Sequence, residues 1–259
     1  MRAIRAQLIQ VTRTRFIWVC SGICAIVLAY VFYQYTVNTG SGVGGPDAGN
    51  PATLVCLFLL LMMSILGILP AVATGSYLGG KDDDYSTAGN MVVSGGRLRT
   101  LGTKLAALAV ISVLVVLAVV LLGVVMGLVR AGGWGGETMR HLPAQIGLAF
   151  VVLFMTGLLA LVVAVLARGV AVANIACYVA LAGQMFLPTS ASRVVQWVSP
   201  MAYVQGLIPA QFPQLANLPG VTVLAGSGSV RQGLIWGAVV LAFELALLVG
   251  VALRREVRS

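Results

Sequence analysis

Six long apolar stretches fill most of this 259-residue chain, and they restrict it to one kind of solvent. They run from Phe16 to Val37, Ala52 to Ser76, Leu105 to Val129, Ala144 to Ala167, Val170 to Leu187 and Gln232 to Leu253. Each approaches or exceeds the roughly 18–20 residues that a helix needs to cross the ~30 Å hydrocarbon core. Inside a bilayer every backbone N–H and C=O must be paired within the protein, and a helix does this locally. The pattern predicts an all-α polytopic membrane protein with six transmembrane helices in a single transmembrane domain, residues 1–259. Charged residues make up 9% of the chain, against about 25% in soluble domains. A soluble domain of this length is excluded.

The net charge of +9 would point to nucleic acid in a soluble protein, but its placement argues otherwise. With six spans both termini lie on one side. That side holds Arg2, Arg5, Arg13, Arg15, Lys81, Arg97, Arg99, Lys104, Arg168, Arg254, Arg255 and Arg258, twelve of the 16 basic residues. The bias puts both termini in the cytoplasm of a cell (plasma) membrane. The basic excess then reports orientation and contact with anionic headgroups, and nucleic acid is not implied. The first apolar run does not read as a cleavable signal peptide, being longer than the ~7–15-residue core of such a segment. Cys20, Cys24, Cys56 and Cys177 all lie inside apolar runs and read as small buried residues.

The segment 1–15 places Ile4, Leu8 and Val11 at i, i+4 and i+7, which suits an interfacial helix lying in the headgroup plane. The alternative is a basic leader that fixes topology without being helical. Gly123 and Gly127 form a small-x-x-x-small pair in the third stretch, a weak signal for close helix approach. Arg168 and Gly169 are all that joins the fourth and fifth stretches, so those helices form a tight antiparallel hairpin. Between the fifth and sixth lies an external segment, 188–231, in which Pro200 breaks a semi-apolar pattern into two short helices. Neither could span alone, and a re-entrant helical segment fits best; the rival is an amphipathic loop on the outer leaflet.

Most signals for chemistry fail on their own terms. Gly75 to Lys81 reads G-x-x-x-x-G-K, but Asp82 stands where a phosphate loop needs Ser or Thr for magnesium, and three aspartates would repel phosphate. Ser227 has no histidine in its own loop to act as base; His141, the one histidine, lies in another. One histidine among scattered carboxylates builds no metal cage. The chain is expected to be no enzyme by itself and to hold no cofactor. Glu244 stands apart: about nine residues from the end of the last stretch, at ~1.5 Å rise per residue, it sits near the midplane. A charged side chain there costs at least ~2.5–3.5 kcal/mol, so it faces the protein interior or is protonated. Thr156 and Tyr178 lie at similar depth and are its candidate partners. Two readings stay open, a translocation-path or inter-subunit contact and a protonated carboxyl bonded to a neighbouring helix.

The hairpin 77–104 is the polar island of the chain. An acidic cluster, Asp82, Asp83 and Asp84, opens it; Arg97, Arg99 and Lys104 lead into the third span. Two charge signs on one short segment favour specific docking of a soluble partner, the alternative being a solvated loop with flanking topogenic charges. At these residues the chain resembles the membrane subunits of type-two ABC exporters. Asp84, Thr87, Gly89, Asn90, Arg97 and Lys104 fall on that family's pattern of carboxylate, Gly/Thr turn, short apolar helix, Arg, and Lys seven residues on. Gly95 and Gly96 stand where the family often has Pro, and Asp where it often has Glu. The layout matches too: basic interfacial helix, six spans, and a broken external segment with Ser199 and Pro200 before the last span.

The resemblance implies a half-transporter that pairs with a second membrane subunit, identical or related. Two cytosolic ABC ATPase subunits supply ATP, magnesium and hydrolysis, and push on the hairpin and the interfacial helix. The cargo class it implies is a bulky amphiphile such as a drug, an antimicrobial peptide or a lipid-like molecule, in the drug-resistance or lantibiotic-immunity branch. Two other classes stay open. One is an ion-gradient-driven carrier using Glu244; the other is a non-transporting membrane anchor for a cytosolic partner.

Overall fold

The computed structural model describes residues 2–39, 55, 58–59, 61–84, 97–129, 137–186 and 230–256. Among them the only secondary structure is helical. In chain order these are α1 (Arg2–Thr12), α2 (Arg15–Thr39), a π-helical turn (Met62–Leu66), α3 (Ile68–Asp84), α4 (Arg97–Val129), α5 (Glu137–Ala167), α6 (Val170–Phe186) and α7 (Val230–Glu256). Two helices contain stretches long and apolar enough to cross a membrane, Leu98–Val125 with mean hydropathy 3.3 and Leu142–Ala167 with 2.9. α1 and the apolar part of α2 pass the same test as a pair, bent by 67°. Val170–Ala180 and Gly237–Val251 are shorter apolar runs within α6 and α7. The expected external segment up to residue 229, with its break at Pro200, lies outside the described residues. So do Cys56 and the hairpin's middle, including Thr87, Gly89 and Asn90.

α3 is the hub of the bundle, packing most extensively on α5 and then on α6, α2 and α4. From Leu66 to Lys81 only Leu69 and Tyr77 keep partial exposure. The reason is a stripe of small residues. A Cβ added to Gly75 would lie 1.9 Å from the carbonyl oxygen of Gly157, and one on Gly79 would lie 2.6 Å from that of Leu161. Backbones can approach this closely only where a glycine or alanine stands at the contact, so Gly75 meets the backbone of Gly157, Gly79 that of Leu161 beside Ala164, and Gly157 the carbonyl of Ala71. The same glycines open the sequence's phosphate-loop lookalike; here they sit in mid-helix and serve packing. Gly123 plays a similar part on α4, where a Cβ would lie 2.9 Å from the side chain of Val55.

α3 enters the bundle through an irregular turn whose cause is chemical. Pro70 has no N–H, so the carbonyl of Leu66, four residues back, loses its helical donor. The thiol of Cys24 on α2 donates to that oxygen instead, at 3.0 Å. One turn earlier the N–H of Gly67 reaches back five residues to Met62, at 2.9 Å, closing the π-helical loop. The hydroxyl of Tyr178 on α6 donates to the carbonyl of Leu69 at 2.8 Å, with the Cys20 thiol 3.9 Å from that hydroxyl. Side chains of α2 and α6 thus close the polar gaps of α3 from both flanks.

The outward faces of α2, α4, α6 and α7 carry large apolar side chains, Ile26, Leu121, Val179 and Phe243 among them. Such a surface is compatible with a lipid surround. Arg168 makes the turn between α5 and α6 in the left-handed region, at φ 56°. Gly169 follows it, as the two-residue connection predicts.

Candidate functional site

Two places bring chemistry-bearing residues together: the end of the bundle covered by α1, and the buried seam of α7. At the first, α1 lies across α4, α2 and α3. Its apolar positions are those the spacing predicts. Val11 is buried, Ile4 and Leu8 are partly so, and Arg5 and Arg13 stand exposed. Val11 joins a core cluster with Leu78 of α3, Ala107 and Leu108 of α4, Leu158 and Leu161 of α5 and Leu248 of α7. Trp18 ties the bend shut from outside, its indole N–H donating to the carbonyl of Thr12.

A polar clasp completes this end. The Lys81 ammonium donates to the side-chain carbonyls of Gln7 and Gln10 on α1. It also lies 5.6 Å from the centre of the Tyr77 ring, within cation–π range. Burying a lysine is tolerable when its donors are met in this way. One helix turn deeper the Ser76 hydroxyl sits 2.7 Å from the Val72 carbonyl and 2.6 Å from Oδ1 of Asn174 on α6.

The hairpin residues divide at its two roots. α3 continues through Asp82, Asp83 and Asp84, and α4 starts at Arg97, so the acidic and basic groups stand on helix ends facing one connection, not in an extended loop. Arg99 is exposed, whereas Lys104 is only 5% exposed and has a polar partner. The sequence counted Lys104 with the docking surface; its burial makes it part of the root instead. The side chains of the three aspartates and of Arg97 lie outside the described residues.

The second place is α7, whose buried seam is Val240, Glu244 and Leu248, one residue per turn. Val240 belongs to the apolar cluster around Phe58 and Met63, Leu248 to the one around Leu78 and Leu158. Glu244 sits between the two, 3% exposed, and neither carboxyl oxygen meets a hydrogen-bond partner among the described residues. The expectation that Thr156 or Tyr178 partners it is therefore corrected. Tyr178 is committed to Leu69 of α3, and no hydrogen bond joins Thr156 to the carboxyl. At the same level of α4, between Ala107/Leu108 and Val116/Val119, stands buried Ser112. Thr74 of α3, between Ala71 and Leu78, is likewise buried with an unmet hydroxyl.

Sequence reading missed Gln7, Gln10, Ser76, Asn174, Thr74 and Ser112, each a lone polar residue in an apolar or amphipathic run. Only for Gln7 and Gln10 was there a signal, since both lie within one helical turn of the face marked by Leu8 and Val11. Cys20, Cys24 and Cys177 are buried free thiols. Among the described residues no group of His, Cys, Asp and Glu could hold a metal ion. Comparison with protein-family models, with curated proteins and with solved structures gave no match.

Proposed function

We propose that this chain is the membrane subunit of an ATP-driven exporter of the type-two ABC class. In this reading it spans the membrane six times with both termini in the cytoplasm, and carries a re-entrant external segment at 188–231. It pairs with a second membrane subunit, and separate cytosolic ATPases hydrolyse ATP on its behalf. The cargo is an amphiphile carried outward, a drug, an antimicrobial peptide or a lipid-like molecule.

The observation that supports this most is the clasp between α1 and Lys81. It ties the amphipathic helix to the end of α3, while the apolar face of α1 rests on the first turns of α4. The connection bearing Asp82–Asp84 and Arg97 therefore springs from two helix ends already braced by α1. A push on that connection reaches α3, the hub of the bundle, without being lost in a floppy leader. An anchor protein that merely recruits a partner needs no such brace.

The test is purification of the tagged chain from its native membranes. The reading expects an ATPase subunit to elute with it and ATP hydrolysis to rise with amphiphile. Replacing Asp82, Asp83 and Asp84 with Ala should abolish that stimulation and leave insertion intact. Replacing Gln7 and Gln10 with Ala should leave the ATPase bound but lower the cargo moved per ATP. If no ATPase accompanies the chain, or if the triple-alanine variant couples normally, the docking role fails.

A further inference from the structure

A groove opens at the α1-covered end between α2, α3 and α6, sharing Tyr77 with the clasp. Its floor is Ala73 and Tyr77 of α3, and its walls are Phe16 of α2 and Val170, Ala171 and Asn174 of α6. Thr14, in the bend between α1 and α2, closes one side of the mouth. The cavity measures about 270 Å³ and is open to the outside along one flank. Phe16 on one wall and Ala171 on the other are exposed, so the opening faces the surround of the bundle, not its interior.

Among the described residues the charged side chains nearest this mouth in the chain are basic. Arg13 and Arg15 flank Thr14 in sequence, and Arg168 precedes Val170 by two residues; all three are exposed. Arg168 is held in a left-handed turn, at φ 56°. The Lys81 ammonium, bonded to the neutral amides of Gln7 and Gln10, keeps its positive charge and lies 5.6 Å from the ring of Tyr77. A largely apolar slot whose lining residues Thr14, Phe16 and Val170 have exposed arginines one or two positions away in the chain matches one occupant. That occupant has an acyl chain and an anionic phosphate head. Guanidinium forks bind phosphate oxygens in pairs, and basic pockets between membrane helices are where anionic headgroups settle.

We propose that this groove is a binding site for one anionic phospholipid of the surrounding leaflet. Its acyl chain lies on Ala73 and Tyr77, and its phosphate is held by Arg13, Arg15 and Arg168. The inference needs only that the chain is embedded in a bilayer, and it stands or falls apart from the exporter reading. A resident lipid here bridges the α1–α2 bend and the α5–α6 turn.

Native mass spectrometry of the detergent-purified chain, titrated with phosphatidylglycerol or phosphatidylcholine, tests it. The proposal expects one retained phosphatidylglycerol per chain, at least tenfold preferred over phosphatidylcholine. Ala171→Trp, an exposed position where the indole fills the slot, should remove the retained lipid. The triple variant Arg13→Gln, Arg15→Gln, Arg168→Gln should keep lipid but lose the preference, and the triple Lys variant should keep most of it. Glycerol phosphate, a head without chains, should not compete. Equal retention of both lipids by the unaltered chain would overturn the proposal. So would unchanged phosphatidylglycerol binding in Ala171→Trp, including the case where that variant splits a dimer, which would make the groove an interface between copies.

Discussion

The α3–α5 seam and the α7 seam are both buried, yet they are built on opposite rules. Along α3 and α5 small residues let the backbones touch, and Ser76 and the Leu66 carbonyl have found donors or acceptors on neighbouring helices, which leaves only a neutral group, the Thr74 hydroxyl, unmet among the described residues of α3. Along α7 a single file of residues faces the bundle, and its middle member is a carboxyl that no described group meets. The first seam is a fixed joint, because close-packed backbone has no alternative arrangement of similar energy. The second keeps an unmet polar group in the core, which the fold alone does not need. Unmet buried groups at a membrane midplane mark places where something else must come, a cargo, a proton or a second conformation.

The largest effect that would break this contrast is at Gly75. Gly75→Val forces the helices apart against a main-chain oxygen that cannot yield. Overpacking typically costs about 1–3 kcal/mol and occasionally more, and here it strikes the hub. Folded protein recovered by size exclusion in detergent should fall to a small fraction of the parent's. Gly102→Val, at a site with nothing within 4 Å, is the control and should be recovered normally. Equal recovery of the two would mean that α3 and α5 do not touch.

A smaller effect of opposite sign is expected on α7. Glu244→Leu removes an unmet buried polar group, whose desolvation penalty is about 1–3 kcal/mol. The variant should therefore melt higher than the parent while transporting less. A lower melting temperature would show that Glu244 has a stabilising partner and would erase the contrast with α3.

The smallest effect sharpens the account of the fixed joint. Cys24→Ala loses one hydrogen bond to the Leu66 carbonyl, worth about 0.5–1.5 kcal/mol. In a Pro70→Ala background the helix supplies its own donor, so the same change should then cost close to nothing. Equal costs in both backgrounds would separate the thiol from the proline gap.

Much of the frame was legible because it is written locally. Three apolar runs, those from Phe16, Val170 and Gln232, mark their helices to within about three residues, while the helices ending at Asp84 and starting at Arg97 and Glu137 run seven or eight residues past the apolar stretches. Ile4, Leu8 and Val11 mark the face of α1, and Arg168–Gly169 leaves room only for a tight turn. What was not legible depends on distance along the chain. Gly75 and Gly79 stood out in the sequence only as part of a failed phosphate-loop pattern, and their packing role appears only with Gly157 opposite. Ser76 and Asn174 are 98 positions apart, and nothing at either position names the other. Cys24 was read as a plain apolar filler because its acceptor exists only where Pro70 has removed the usual donor. For Glu244 burial was readable from a lone carboxyl in an apolar run, but its surroundings were not, since they are set by helices distant in the chain.

The measurement that bears most directly on the account is transport in reconstituted vesicles containing the chain and its co-purified ATPase. Amphiphile flux is followed with ATP and, separately, with an imposed pH gradient, for the parent and for Glu244→Gln. The account predicts ATP-dependent flux that the Gln variant retains with at most a modest loss, because the amide keeps the shape and hydrogen-bonding capacity of the carboxyl. A parent that ignores ATP, with pH-driven flux that disappears in the Gln variant, would contradict it and assign the chain to the ion-coupled carriers.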